Sequence, residues 1–327
     1  MTLLGIDLGG TKCVAVLAEI NKGSEPVILW KSEKHMTPLY SPPEMLSVLA
    51  GDIKSCLSAS EYEFPAGIGI SCGGPLDSRK GIILSPPNMK AWDQIHVTEY
   101  FENAFSIPCH LCNDANAGAL AEWKWGAGKG SNNLVFLTFG TGMGAGLILN
   151  GALYAGQCDM AGEIGHIRLS ASGPAGYGKL GSFEGFCSGG GIAQLASSMI
   201  EAERQKGNFS GIASKEYTHD RITAETVGMA TDNGDPLAIS ILAECGRYLG
   251  YGLSVIIDIL NPEKIIIGSI FARCRQWLWP AAEKIIKQES LPQSYASCSI
   301  IPASLGEKIG DFAAIAVAYE NLDKGSL

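Results

Sequence analysis

The stretch Leu3-Leu4-Gly5-Ile6-Asp7-Leu8-Gly9-Gly10-Thr11-Lys12 decides how the rest of the chain is read. Residues 3–7 form a short apolar run ending in a carboxylate and a Gly-Gly turn, and a second apolar run follows at 13–20. Such a pair reads as a β-hairpin. Gly9 and Gly10 let backbone N–H groups and the Thr11 hydroxyl approach phosphate oxygens, and Asp7 at the strand end can stand beside a metal ion through water. The same letters also describe a plain hairpin turn, with Lys12 as a solvated loop charge. The spacing to Lys12 is not that of a Walker A loop.

Residues 134–154 repeat this character. An apolar strand leads into Thr138-Phe139-Gly140-Thr141-Gly142-Met143-Gly144, and the apolar run 145–149 follows. Alternating glycines allow a backbone to wrap closely around a β- or γ-phosphate. Two strand-turn-strand loops more than a hundred residues apart fit a nucleotide held between two related lobes. Residues 66–72 are a further buried strand, 43–58 and 239–257 read as helices, and 202–223 read as a polar surface excursion. Strands and helices thus mix in α/β fashion.

A third motif is Asn113-Asp114-Ala115-Asn116-Ala117, which sets a carboxylate between the apolar-leaning run 107–112 and a helix expected over 115–123. An Asp there serves as a helix N-cap or as a functional carboxylate.

Composition narrows the function classes. A chain of 327 residues can bury two cores and so make two domains. Its formal charge of −9 argues against nucleic acid as the main partner, because phosphate backbones are met by concentrated Lys and Arg. Ten irregularly spaced cysteines and a start without a basic, apolar leader lead us to expect reduced thiols and a cytoplasmic location. The most apolar stretch, 253–260, is interrupted by Asp258 and closed by Asn261-Pro262, too short to cross a bilayer.

With these motifs taken together, the chain resembles the ROK family of sugar kinases and sugar-responsive repressors, within the actin, Hsp70 and hexokinase superfamily. The resemblance runs nearly full length. It rests on Asp7 to Lys12, Gly73-Gly74-Pro75-Leu76-Asp77, Pro87-Asn88 with Trp92, Asn113 to Asn116, the loop at Gly140, Glu163-Ile164-Gly165-His166, and Pro262-Glu263 ahead of Ile265-Ile266-Ile267-Gly268. It implies two ribonuclease-H-like α/β domains with an active site between them, one from 1–115 plus 308–327 and a larger one from 116–307. It also implies ATP, Mg²⁺ and a free hexose as ligands, with Asp114 as general base. Gly73, Asn88, Asn113, Glu163, His166 and Glu184 match sugar-contacting positions. Gly9, Gly10, Thr11, Lys12, Thr138, Gly140, Thr141 and Gly142 match phosphate loops, Gly268 and Ser269 an adenosine contact, and Asp7 the magnesium side. A homodimer is implied by the family alone.

Bland alternatives stand beside several of these residues. Asn88 also suits a turn after Pro86-Pro87, Glu163 a cap or ion pair, Glu184 a surface carboxylate, and His166 a buried structural histidine. Cys109-His110-Leu111-Cys112 looks like a metal or redox pair, yet strand alternation sends its two thiols to opposite faces.

The chain departs from the family at its zinc segment, where Ala175, Tyr177 and Ser182 stand in place of three thiolates while Gly178, Gly181 and Glu184 are kept. One histidine cannot hold a tetrahedral zinc, so no structural zinc site is expected, with Cys158 and Cys187 as the remaining candidate substitutes. Glucose, phosphorylated at its 6-hydroxyl, is the favoured substrate; N-acetylglucosamine, N-acetylmannosamine, allose and fructose follow. A repressor would carry a DNA-reading helix ahead of the first loop, which here begins at residue 7. A non-catalytic sugar sensor and a different superfamily ATPase are the other readings.

Overall fold

The computed structural model describes residues 1–59, 62–89 and 91–324. Its contacts divide the chain into two compact units, one of 1–132, 146–161 and 304–327, the other of 133–145 and 162–303. The expected domain division differs from this at three places. Residues 116–132, 146–161 and 304–307 belong to the first unit, and residues 325–327 of its expected C-terminal part lie outside the described residues.

The first unit is built on a sheet in which Val27–Lys31, Lys12–Glu19, Thr2–Leu8, Ile68–Cys72 and Cys109–Asn113 lie side by side in that order. The N-terminal hairpin forms as read, antiparallel, with Leu8 opposite Cys13 across the Gly9-Gly10 turn. Strands Thr2–Leu8, Ile68–Cys72 and Cys109–Asn113 run parallel. Every residue of Ile68–Cys72 is buried, as expected of a parallel strand covered on both faces. One cover is the helix Pro42–Ala59, whose Met45, Leu46, Leu49 and Ile53 face the core. The other includes the helix Ile309–Lys324. Gly69 lets that helix come close: a Cβ there would run into the Ala314 carbonyl and the Ala318 amide.

The helix Asp114–Trp125 also belongs to this unit, which is the physical reason the boundary falls after it. Trp125 packs edge-on against Phe312 at 5.9 Å. Glu122, fully buried, accepts backbone N–H groups from Ala127 (2.8 Å), Ser304 (3.0 Å) and Leu305 (3.0 Å). A buried carboxylate is tolerable only with its oxygens satisfied in this way. The two thiols of the Cys109-Cys112 stretch are buried in the sheet.

In the second unit Leu134–Leu137, Lys264–Ile267 and Ser299–Pro302 form a parallel sheet. Its largest helices are Gly189–Gln205, Pro236–Leu260 and Ile270–Glu289. Within the stretch 202–223, residues 202–205 end the helix Gly189–Gln205 and the rest forms only the short turns Gly211–Ala213 and His219–Arg221; apart from Ile212, Ala213 and Ile222 its described side chains are at least partly solvent-accessible. No helix among the described residues is long and apolar enough to cross a membrane.

Candidate active site

In the first unit, parallel pairing sets Asp7 opposite Ser71 and Cys72 opposite Asn113. Asp7, Gly73 and Asn113-Asp114 therefore emerge at one edge, the carboxyl ends of the strands, where open α/β sheets bind ligands. The first glycine turn is fastened from behind: Gly9 N–H donates to the Lys12 carbonyl (3.1 Å), Thr37 Oγ1 to the Gly9 carbonyl (2.6 Å) and Thr37 N–H to the Thr11 carbonyl (2.9 Å). Thr11 and Lys12 stay exposed at its tip. A Cβ on Gly10 would stand 2.6 Å from that of Asn88, so the turn and the exposed Asn88 are brought together. Asn88 follows Pro87 within a tight turn closed by Met89 N–H on the Pro86 carbonyl (2.8 Å).

The structure separates the two roles that the sequence leaves open at Asp114. The cap is Asn113, whose Oδ1 accepts Ala115 N–H at 3.0 Å and Asn116 N–H at 3.5 Å. Asp114 is the first helical residue, and its Oδ1 also accepts Ala115 N–H (2.8 Å). The residue keeps a solvent-accessible face, yet desolvation by surrounding protein raises its carboxyl above the ordinary range, against the pull of that amide.

Asp7 is pushed up to about 7, first by burial and then by the Asp114 and Asp311 carboxylates, with Lys12 and Lys31 opposing. Asp311, two residues into the helix Ile309–Lys324, is held by Lys31 Nζ at 2.7 Å. Neither Asp311 nor Lys31 is flagged by the sequence motifs; only the fold carries them to Asp7. Mutually repelling carboxylates are hard oxygen donors that fit a magnesium ion. Among the described residues no three His, Cys, Asp or Glu side chains are grouped to hold a metal alone. Water and substrate phosphates would have to complete its shell, the arrangement magnesium favours.

In the second unit, the loop after Leu134–Leu137 closes on itself. Thr138 N–H donates to the Gly144 carbonyl (3.0 Å), Gly144 N–H to Thr138 Oγ1 (2.8 Å) and Gly140 N–H to the Gly142 carbonyl (3.1 Å). The Thr138 hydroxyl is thereby engaged inside the loop, whereas Thr141 is exposed at its tip. Gly189 N–H, at the start of the helix Gly189–Gln205, donates to the Gly140 carbonyl (2.7 Å).

A cavity of about 960 Å³ opens beside this loop, lined by Gly140, Thr141, Ser269, Glu225, Met229 and Arg273 among others. Its size suits a nucleoside. Ser269, the N-cap of Ile270–Glu289, has φ of 47°, a left-handed value rare outside glycine. Of the expected adenosine contacts Gly268 and Ser269, only Ser269 lines this cavity; Glu225, Met229 and Arg273 are marked by no motif. A smaller groove of about 420 Å³, lined by Arg247 and Lys284, contains none of the predicted residues.

Glu163-Ile164-Gly165-His166 forms a short 3-10 turn over Ile164–His166, and both Glu163 and His166 are exposed. The buried-histidine reading of His166 is therefore excluded. Glu163 occupies the cap position of that turn without a side-chain cap bond. Glu184 is not a free surface carboxylate, since its Oε2 accepts Met143 N–H from the glycine loop at 3.0 Å. Cys187 is buried with its sulfur 4.0 Å from that of Cys245, which accounts for its thiol without a metal.

The pattern describing the ROK family matches residues 3–321. The chain belongs to the ROK family. A glucokinase of Halalkalibacterium halodurans is 32% identical over 311 residues, covering 94% of this chain and 92% of that protein. Among solved structures, a ROK family transcriptional regulator, homolog of E. coli MLC, superposes with a TM-score of 0.84 at 26% identity, over 97% of this chain and 77% of its own. A ROK glucokinase from Streptomyces griseus, solved with glucose and AMPPNP, gives 0.77 at 25% identity over 98% and 100%. The fold is thus the actin and hexokinase type that the sequence implies, and the chain is a relative of sugar kinases.

Proposed function

We propose that this ROK protein transfers the γ-phosphoryl group of ATP to a free hexose, with glucose and its 6-hydroxyl favoured. The observation that carries the proposal is the Asp114 carboxylate, released from capping by Asn113 and raised above the usual carboxylate range at the sheet edge it shares with Asp7. A base of raised pKa holds a hydroxyl proton more readily as the oxygen attacks phosphorus. Phosphoryl transfer asks mainly for positioning and charge stabilisation, so a base, phosphate loops and hydroxyl-matching side chains form a sufficient inventory.

In this reading Asp114 takes the proton of the attacking hydroxyl. Gly73, Asn88, Asn113, Glu163, His166 and Glu184 pair with sugar hydroxyls, and the turns at Gly9 to Lys12 and Thr138 to Gly142 hold phosphates. Ser269 borders the cavity proposed for the nucleoside, and Gly268 precedes it in the chain. A magnesium ion near Asp7 would supply charge neutralisation at the phosphates. Buried polar groups left unpaired by a wrong epimer make discrimination steep. The named relatives support both a kinase and glucose.

The test is a coupled ADP-release assay with Mg-ATP and a panel of glucose, N-acetylglucosamine, N-acetylmannosamine, allose and fructose. Glucose should give the highest kcat/KM. Sugar binding without ADP release would make the protein a sensor, the reading that its likeness to a regulator favours. ATP hydrolysis indifferent to every hexose would remove the sugar altogether.

A further inference from the structure

Glu184 stands in a bond that a sugar contact alone does not need. It is the second residue of the short helix Phe183–Phe186, whose cap Ser182 is buried and accepts N–H groups from Gly185 (3.1 Å) and Gly176 (3.2 Å). Phe183 and Phe186 are buried, so the backbone that carries Glu184 is anchored on both sides. From that base the carboxylate reaches 41 residues back along the chain, where Oε2 accepts the Met143 N–H at 3.0 Å. Oε1 makes no hydrogen bond among the described residues. The contact has little slack, because a Cβ on Gly142 would lie 2.8 Å from Oε2.

We propose that Glu184 is a positioning residue for the phosphate loop, holding the Gly142-Met143 turn through Oε2 while Oε1 receives a sugar hydroxyl. The sugar contact and the loop's phosphate role rest on the function proposed above; the tie of Glu184 to Met143 does not. The physical argument is one of shared geometry. The two oxygens of a carboxylate are rigidly joined, so a hydroxyl that fixes Oε1 also fixes the direction of Oε2. A hydrogen bond to an ionised acceptor is stronger than one to a neutral group. Occupation of one oxygen therefore restricts the loop that receives phosphate, and by linkage nucleotide and sugar strengthen each other's binding.

The experiment measures AMPPNP affinity by calorimetry with and without glucose, and hydrogen exchange at the Met143 amide, in the full-length protein. In Glu184→Ala, sugar-free AMPPNP binding should weaken roughly threefold to tenfold, less than a charged hydrogen bond is worth because the tie reaches the nucleotide only through the loop, and Met143 exchange should quicken. Glu184→Gln keeps a weaker, neutral acceptor for that amide, so its sugar-free AMPPNP affinity should lie between those of Glu184→Ala and the wild type while the sugar KM still rises. Gly142→Ala displaces the carboxylate from the loop side and should raise the sugar KM, although residue 142 belongs to the phosphate loop.

Unchanged sugar-free AMPPNP binding and unchanged Met143 exchange in Glu184→Ala would overturn the proposal, as would equal losses in the Ala and Gln variants. If the wild-type protein phosphorylates no sugar, the proposed function fails. The sugar-free binding and exchange measurements still decide the loop role in that case.

Discussion

At the scale of single residues, the carboxylates of the first unit carry most of the chemistry in the function proposed above. Asp114→Asn keeps the shape and the amide contact but cannot take a proton. We expect the sugar KM to stay within about threefold while kcat falls by roughly 10²–10⁴, the usual worth of a general base. Steady-state kinetics on the preferred sugar check this. Asp7 makes a separate prediction about stability. Its pKa is about 7 in the folded state against a reference of 3.8, so the folded protein holds more protons between those values. Stability must therefore fall as pH rises through this window, with the full penalty present above 7. Asp7→Asn removes the penalty and should raise Tm at pH 8 by roughly 3–8 °C, since the rise from 3.8 to about 7 is worth at most about 4 kcal/mol before solvent screening. The same variant at pH 3.5 should melt close to wild type. Added Mg²⁺ should act in the direction of the substitution on the wild-type protein at pH 8.

At the scale of elements, two contacts set where the chemistry sits. Asn113→Ala removes the cap of Asp114–Trp125 and should cost about 1 kcal/mol in chemical denaturation, with kcat falling because Asp114 loses its fixed start of helix. Asn113→Ser, which can also cap, should recover the stability. Gly69→Ala tests the approach of sheet and helix. Its Cβ would meet backbone atoms of Ala314 and Ala318, which cannot rotate away. Overpacking of this kind costs about 1–3 kcal/mol and more where nothing yields, so a lowered urea midpoint is expected. The hairpin at residues 2–19 and the Gly140 loop were legible because their signal is local: apolar runs broken by glycine. Asp311 and Lys31 were not, since each is ordinary in its own stretch and matters only through where the fold carries it. The cap at 113 was left open for a related reason, as Asn and Asp in succession both satisfy the capping preference.

At the scale of the whole molecule, the motif order made the family legible, but the division into units was read less well. A boundary placed at residue 115 follows the last motif of the sheet, whereas Glu122 and Trp125 tie the next helix to residues near 304–312, a long-range contact without local signature. The same distinction bears on metal dependence, because the segment for which the family resemblance implies zinc in relatives has its own fastenings here. Gln194 accepts the Ala175 N–H with Oε1 (2.9 Å) and donates Nε2 to the Ala175 carbonyl (2.9 Å). Lys179 Nζ donates to the His166 carbonyl (2.7 Å), Arg168 to the Leu180 carbonyl (3.0 Å), and Tyr177 meets the His166 ring edge-on at 6.1 Å. Each such bond contributes about 1 kcal/mol or less at the surface, and together they hold the two strands of this hairpin against their neighbours. Exhaustive chelation should therefore leave Tm within about 1 °C and elemental analysis should find zinc far below one per chain, while phosphoryl transfer stops until Mg²⁺ returns. Gln194→Ala should loosen the hairpin and raise the sugar KM through His166, with thermal stability of the whole protein changing little. A chelator that instead unfolded the protein would mean that a bound metal, and not this set of hydrogen bonds, holds the segment.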